Sequence, residues 1–203
     1  MWMVRKSISL GVILALSFLL SACAGKTVSR IDPSETVDLS GRWNDSDSRQ
    51  VSEAIIEQCL GAPWLDRFAQ KHSKNAVVIT GAVRNQSLEH IAVGTFLRDI
   101  ERALVNSGEV TVVASASERG DVRAEKEDQR VNASPETLKQ MGREVGADYM
   151  LLGEINQIND KEDGEEVRFY QIDLELIDIE TNVKTWLGQE KIKKYVGRSR
   201  YSG

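Results

Sequence analysis

Cys23, Cys59, His72 and His90 supply every thiol and imidazole group in the chain. Cys59 follows Val51 and Ile55 at helical spacing on an apolar face, the setting of a small buried hydrophobe rather than a reactive thiolate. Both histidines sit among polar neighbours and read as surface residues. Asp45 with Asp47, and Asp160 with Glu162 and Asp163, could in principle hold a cation. Neither group has the spacing and closing glutamate of a calcium loop, so the first reads as a helix-capping cluster and the second as a turn. The signatures G-x-G-x-x-G, G-x-x-x-x-G-K-[ST], H-E-x-x-H, G-x-S-x-G and C-x-x-C are all missing. The sequence therefore predicts a protein that is not an enzyme, with no metal and no cofactor.

The chemistry that is marked lies at the amino terminus. Arg5 and Lys6 precede an apolar run of 13 residues, Ile8 to Leu20, too short for a span of about 20 residues but suited to a secretory signal. The run ends in Leu20-Ser21-Ala22-Cys23, which resembles the lipobox of bacterial lipoprotein precursors. That resemblance implies cleavage before Cys23, a diacylglyceryl group on its thiol and a further acyl chain such as palmitate on its amine. Each buried CH₂ contributes about 0.8 kcal/mol, so two or three chains hold a protein on a membrane permanently where one does not. Ala24, where an aspartate would retain such a protein at the inner membrane, points to the periplasmic face of the outer membrane. With Cys23 acylated, Cys59 has no intramolecular disulfide partner.

Of 203 residues, 41% are hydrophobic and 28% charged, the composition of one folded domain with tails. The formal charge is −5, and removing Arg5 and Lys6 with the signal leaves 24 basic against 31 acidic residues. Such a balance opposes sequence-independent binding of nucleic acid. The basic run Lys191-Ile192-Lys193-Lys194, with Arg198 and Arg200, reads as a solvated strand edge and tail.

The elements read in order as an α/β domain. Asp38 to Trp43 is a short first strand; Asn44, Asp45 and Ser46 cap a helix that buries Val51, Ala54, Ile55 and Cys59 and stops at Gly61. Pro63 opens a second helix with Trp64, Leu65 and Phe68 on one face. Ala76 to Thr80 is a buried strand, 84–90 a polar loop, 91–106 a helix and Val110 to Ala114 a second strand parallel to the first. Nine of the thirteen residues from 118 to 130 are charged, which predicts an exposed helix or arm. Ser134 and Pro135 open another helix with Leu138 and Met141, and Tyr149 to Ile155 is a third strand. Asp163-Gly164 turns a hairpin whose return strand alternates Tyr170, Ile172, Leu174 and Leu176 with polar residues. Val183 to Val196 closes an antiparallel meander carrying Trp186. The sum is a mixed sheet with helices packed on it. Residues 1–22 are assigned to a signal peptide, 23–37 to the lipidated cysteine and a tether, 38–198 to the domain and 199–203 to a tail.

Five segments, Asp38-Leu39-Ser40-Gly41-Arg42-Trp43-Asn44-Asp45, Val83-Arg84-Asn85, Leu104 to Gly108, Gly146 to Gly153 and Tyr170 to Leu174, occur in an order that resembles the LpoB-like penicillin-binding protein activator lipoproteins. The resemblance implies a domain similar to the amino-terminal domain of TolB. It also implies a monomeric, non-catalytic regulator of peptidoglycan synthesis, held in the outer membrane, that binds a periplasmic accessory domain of a class A penicillin-binding protein. The candidates for that contact, chosen from this sequence, are Arg84, Asn85 and Glu89 in the polar loop and Arg119 and Arg123 in the charged segment. Members of the family carry a long Pro-rich tether, whereas 14 residues here separate Cys23 from Asp38. At about 3.3–3.6 Å per residue those span at most about 50 Å. The second candidate is an envelope assembly or secretion component, since the curli secretion lipoprotein CsgG has a related α/β domain.

Overall fold

The computed structural model describes residues 28–134 and 144–197. The chain divides into two units, Met1–Glu35 and Thr36–Gly203. Within the first, Asp32 accepts the Ser34 amide (2.8 Å) and hydroxyl (2.6 Å) on a carboxylate oxygen and the Glu35 amide on its carbonyl (3.0 Å), forming one turn around Pro33. The lipobox and the predicted helix with Leu138 and Met141 lie outside the described residues. Among the described residues, no helix is long and apolar enough to cross a membrane.

The second unit runs α1 (Asp45–Leu60), α2 (Trp64–His72), β1 (Ala76–Asn85), α3 (Val93–Ser107), β2 (Val110–Val113), α4 (Ala116–Asn132), β3 (Tyr149–Glu162), β4 (Glu165–Asp178) and β5 (Lys184–Val196). The five strands form one sheet in the order β2-β1-β3-β4-β5. β1 pairs in parallel with β2 and β3, while β4 and β5 add antiparallel. This is the predicted mixed sheet ending in a meander. The β3–β4 turn places Asp163 at φ 48° and Gly164 at φ 83°, the two positive φ values of the hairpin turn whose twist matches the strands.

Strand alternation sends one residue in two toward the helices. β3 contributes Tyr149, Leu151 and Ile155, and β4 contributes Tyr170, Ile172, Leu174 and Leu176, all buried. Against them pack Val51, Ile55 and Cys59 of α1, Trp64 and Phe68 of α2, and Phe96, Ile100 and Leu104 of α3. The indole N–H of Trp64 donates to the Cys59 carbonyl (2.8 Å), so that aromatic side chain is buried without an orphan donor. Burial pushes the Cys59 thiol up to about 12, which keeps it protonated and unreactive. α1 begins with a reciprocal cap: Asn44 accepts the Asp47 amide (3.1 Å) and Asp47 accepts the Asn44 amide (2.9 Å).

Two sequence expectations change. Asp38–Trp43 is not a strand: Gly41 turns the chain at φ 65°, and the Asn44 side-chain amide donates to the Val37 carbonyl (3.3 Å) and Asp38 (2.6 Å) in place of ladder bonds. β1 runs five residues past Thr80, because a bulge at Gly81–Ala82 lets Val83, Arg84 and Asn85 resume pairing with Gly153, Glu154 and Ile155. Ala76–Thr80 is a continuous apolar run, and the one local mark of the bulge is Gly81, which stands at it. The charged segment is a helix, α4, with no buried residue.

A sheet this open must shield its long edge. The Gln58 side-chain amide does so on β5, donating to the Gln189 carbonyl (3.0 Å) and accepting the Gln189 amide (3.1 Å) as another strand would.

Two glycines separate space from chain entropy. A Cβ at Gly153 would lie 2.6 Å from the Asp173 carbonyl and run into Leu174, whereas one at Gly120 in α4 meets open space. Gly153→Ala should lower the urea midpoint, while Gly120→Ala should raise stability by about 0.5–1 kcal/mol; denaturation curves of the two variants check both signs.

Candidate functional site

The predicted contact residues fall in three places. Arg84 lies near the end of β1 on the sheet face away from α1–α3, level with Glu154 of β3, where it lines a groove of about 480 Å³. Leu152, Asp173, Glu175 and Lys184 line the same groove. Arg119 and Arg123 project from α4 over a second groove on that face, about 420 Å³, walled by Ile79, Val113, Met150 and Ile179. The Arg123 guanidinium takes both Glu144 carboxylate oxygens at 2.8 Å and holds that carboxyl below its usual range. Arg119 donates to the Ala114 carbonyl (2.7 Å), which fixes the start of α4 on the end of β2.

Asn85 and Glu89 organise rather than project. The Asn85 side chain accepts the Ser87 amide (2.9 Å) and hydroxyl (2.6 Å) and donates to the Glu89 carbonyl (2.7 Å), closing residues 85–89 into a compact turn. Glu89 then points inward. Its carboxylate accepts the Trp43 amide (3.0 Å), the Gln157 amide (2.9 Å), the Tyr170 hydroxyl (2.8 Å) and Arg168 (3.3 Å). Burial alone would raise the Glu89 pKa, but these donors outweigh it and hold it below the ordinary value. The Trp43 ring stands edge-on to Tyr170 with centroids 5.5 Å apart, so the segment before α1 is packed as well as bonded.

Beside this hub, Lys194 of β5 pairs with Asp47 (2.7 Å) and Asp38 (2.5 Å) and donates to the Arg42 carbonyl (3.2 Å). Burial opposes the ammonium charge, but the two carboxylates outweigh it and raise the lysine pKa. Lys194 is therefore a structural pin, not the solvated edge residue its basic run suggests. Sequence reasoning missed it, and missed Trp43, Gln157, Arg168 and Tyr170, because their partners are 46 to 156 residues away.

Two outcomes follow from the hub. Folding lowers the Glu89 pKa, so its contribution is full above the unfolded value near 4.5 and lost as pH falls through the folded one. The stability gap between wild type and Glu89→Gln should thus be constant from pH 8 to 5 and shrink below about pH 4.5, read from urea midpoints across that range. Lys194→Ala leaves Asp47 buried without its cation and should cost about 3–5 kcal/mol in the same assay at pH 7.

The family model described as peptidoglycan-synthase activator LpoB matches residues 47–192, from the first turn of α1 into β5. No curated protein matches the chain. Among solved structures, the LpoB C-terminal domain from Escherichia coli is 16% identical, covers 70% of this chain and 98% of that one, and gives a TM-score of 0.38. The same domain from Salmonella enterica gives 17%, 70%, 98% and 0.36 in that order. The solution structure of E. coli LpoB is 14% identical over 85% of this chain and 82% of that one, with a TM-score of 0.37. The match takes in α2, α3, α4 and every strand but the end of β5, and by it the chain belongs to the LpoB family of peptidoglycan-synthase activators.

Proposed function

We propose that this protein is an outer-membrane lipoprotein, anchored through Cys23 on the periplasmic face, that binds a class A penicillin-binding protein as a monomer and stimulates its peptidoglycan synthesis. The observation that carries this is the family match, which spans nearly the whole folded unit. The lipobox-like Leu20-Ser21-Ala22-Cys23 supports the anchor. The protein acts by contact, and its contact candidates stand on the face away from the core helices: Arg84 over one groove, Arg119 and Arg123 over the other. Asn85 and Glu89 serve the contact by fixing the turn that follows β1.

The tether limits where the contact is made. Fourteen residues reach at most about 50 Å when fully extended, and a flexible chain of that length about 20 Å on average. The synthase's accessory domain must therefore extend toward the outer membrane to meet this protein.

The test is affinity capture from detergent-solubilised envelopes with the full lipidated chain, followed by glycan polymerisation with the captured synthase. A class A penicillin-binding protein should be recovered and its polymerisation rate should rise. Arg84→Glu should weaken binding about tenfold, equivalent to about 1.4 kcal/mol, with an unchanged melting temperature. Ring-shaped oligomers of this chain, with other outer-membrane proteins recovered in place of a synthase, would replace this reading with that of an envelope assembly component.

A further inference from the structure

The β3–β4 hairpin is longer than the strand beside it. β1 ends at Asn85, paired with Ile155, and the Gln86 amide makes the last bond on that side, to the Ile155 carbonyl (2.8 Å). β3 continues to Glu162, with its register on β4 unbroken from Tyr149 to Glu162. Ile155 turns its carbonyl toward β1, so alternation turns the peptide N–H and C=O of Gln157, Asn159 and Lys161 the same way, past the end of β1. Among the described residues no strand or backbone group pairs with them. On the β5 edge, by contrast, the Gln58 side chain pairs with the outward peptide of Gln189.

Two apolar side chains flank this free edge. Leu88 is 91% exposed, and its amide donates to the Gln157 side chain (3.1 Å), which sets it next to the edge. Its neighbours Ser87 and Glu89 are both held by Asn85, so the leucine is presented on an immobilised turn and loses little entropy on contact. Ile158 is 64% exposed on the opposite side of the strand. The adjoining tip carries Asp160, Glu162, Asp163 and Glu165 against Lys161 alone. That charge repels a second copy of the same edge and attracts a basic chain.

We infer that the β3 edge at Gln157, Asn159 and Lys161 accepts an extended basic segment of a partner protein as an added strand, with Leu88 and Ile158 as its apolar anchors. Main-chain bonds to the three peptide groups supply affinity, and alternating lysine or arginine and aliphatic side chains supply specificity. Assigning that segment to the synthase rests on the function proposed above; the edge itself does not.

Residue-resolved hydrogen exchange on the full chain in detergent micelles tests it, with a ten-residue alternating valine–lysine peptide as probe. The amides of Gln157, Asn159 and Lys161 should slow tenfold or more with this peptide and be unaffected by a valine–glutamate peptide. Asn159→Pro removes one outward N–H without touching the β4 ladder, so it should keep the native melting temperature and abolish the protection. Leu88→Ala, at a solvent-exposed position, should weaken binding at least threefold and serves if the proline variant fails to fold. Unchanged exchange with the lysine peptide, or the same protection from self-association without peptide, overturns the inference. Peptide-dependent protection together with a synthase that ignores the wild-type chain would overturn the proposed function and leave the edge site standing. Synthase binding undiminished by Asn159→Pro would overturn the assignment of this edge to the synthase.

Discussion

A carboxylate withdrawn from water must find donors, and in this protein Glu89 finds four of them in three other parts of the chain. The turn after β1 carries the charge; the segment before α1 and β3 each bring one donor to it, and β4 brings two. Because the bonds are charge-assisted and converge on one group, losing any donor leaves the others on a less satisfied anion. Glu89 thus couples the segment before α1 to the middle of the hairpin. Lys194 repeats the arrangement with opposite sign, one half-buried cation holding Asp38 and Asp47. Between them these two ions do at the hairpin end what the hydrophobic core does beneath α1–α3.

Most of the fold was legible in the sequence. The 3.6-residue spacing of Phe96, Ile100 and Leu104, the two-residue alternation from Tyr170 to Leu176, and the Asp163-Gly164 turn are local signals, and the structure realises each of them. What was illegible is non-local. Asp38–Trp43 looks extended but spends its polar groups on α1 and β5, and β1 lengthens only because a bulge restores its register with β3.

The candidate site divides in the same way. Arg84, Arg119 and Arg123 were chosen as exposed charges, and all three line grooves on the open face. Glu89 was chosen on the same grounds, but its partners at Trp43 and Tyr170 are 46 and 81 residues away, so composition alone gives no hint that it faces inward. Leu88 is illegible in the sequence, because one leucine in a polar loop carries no pattern. Its importance comes from the Asn85 turn that immobilises it.

The Asp38–Lys194 pair and the seating of Gly41 against Val196 also place the start of the folded unit beside the end of β5, although the paired charges are 156 positions apart in the sequence. A link of a few residues would join these ends into a closed ring, and new termini opened in the exposed turn at Glu180–Asn182 would cut no paired strand. The fold is thus topologically indifferent to where its polypeptide starts. Residues 38–41 and 194–196 thus share one corner of the folded unit.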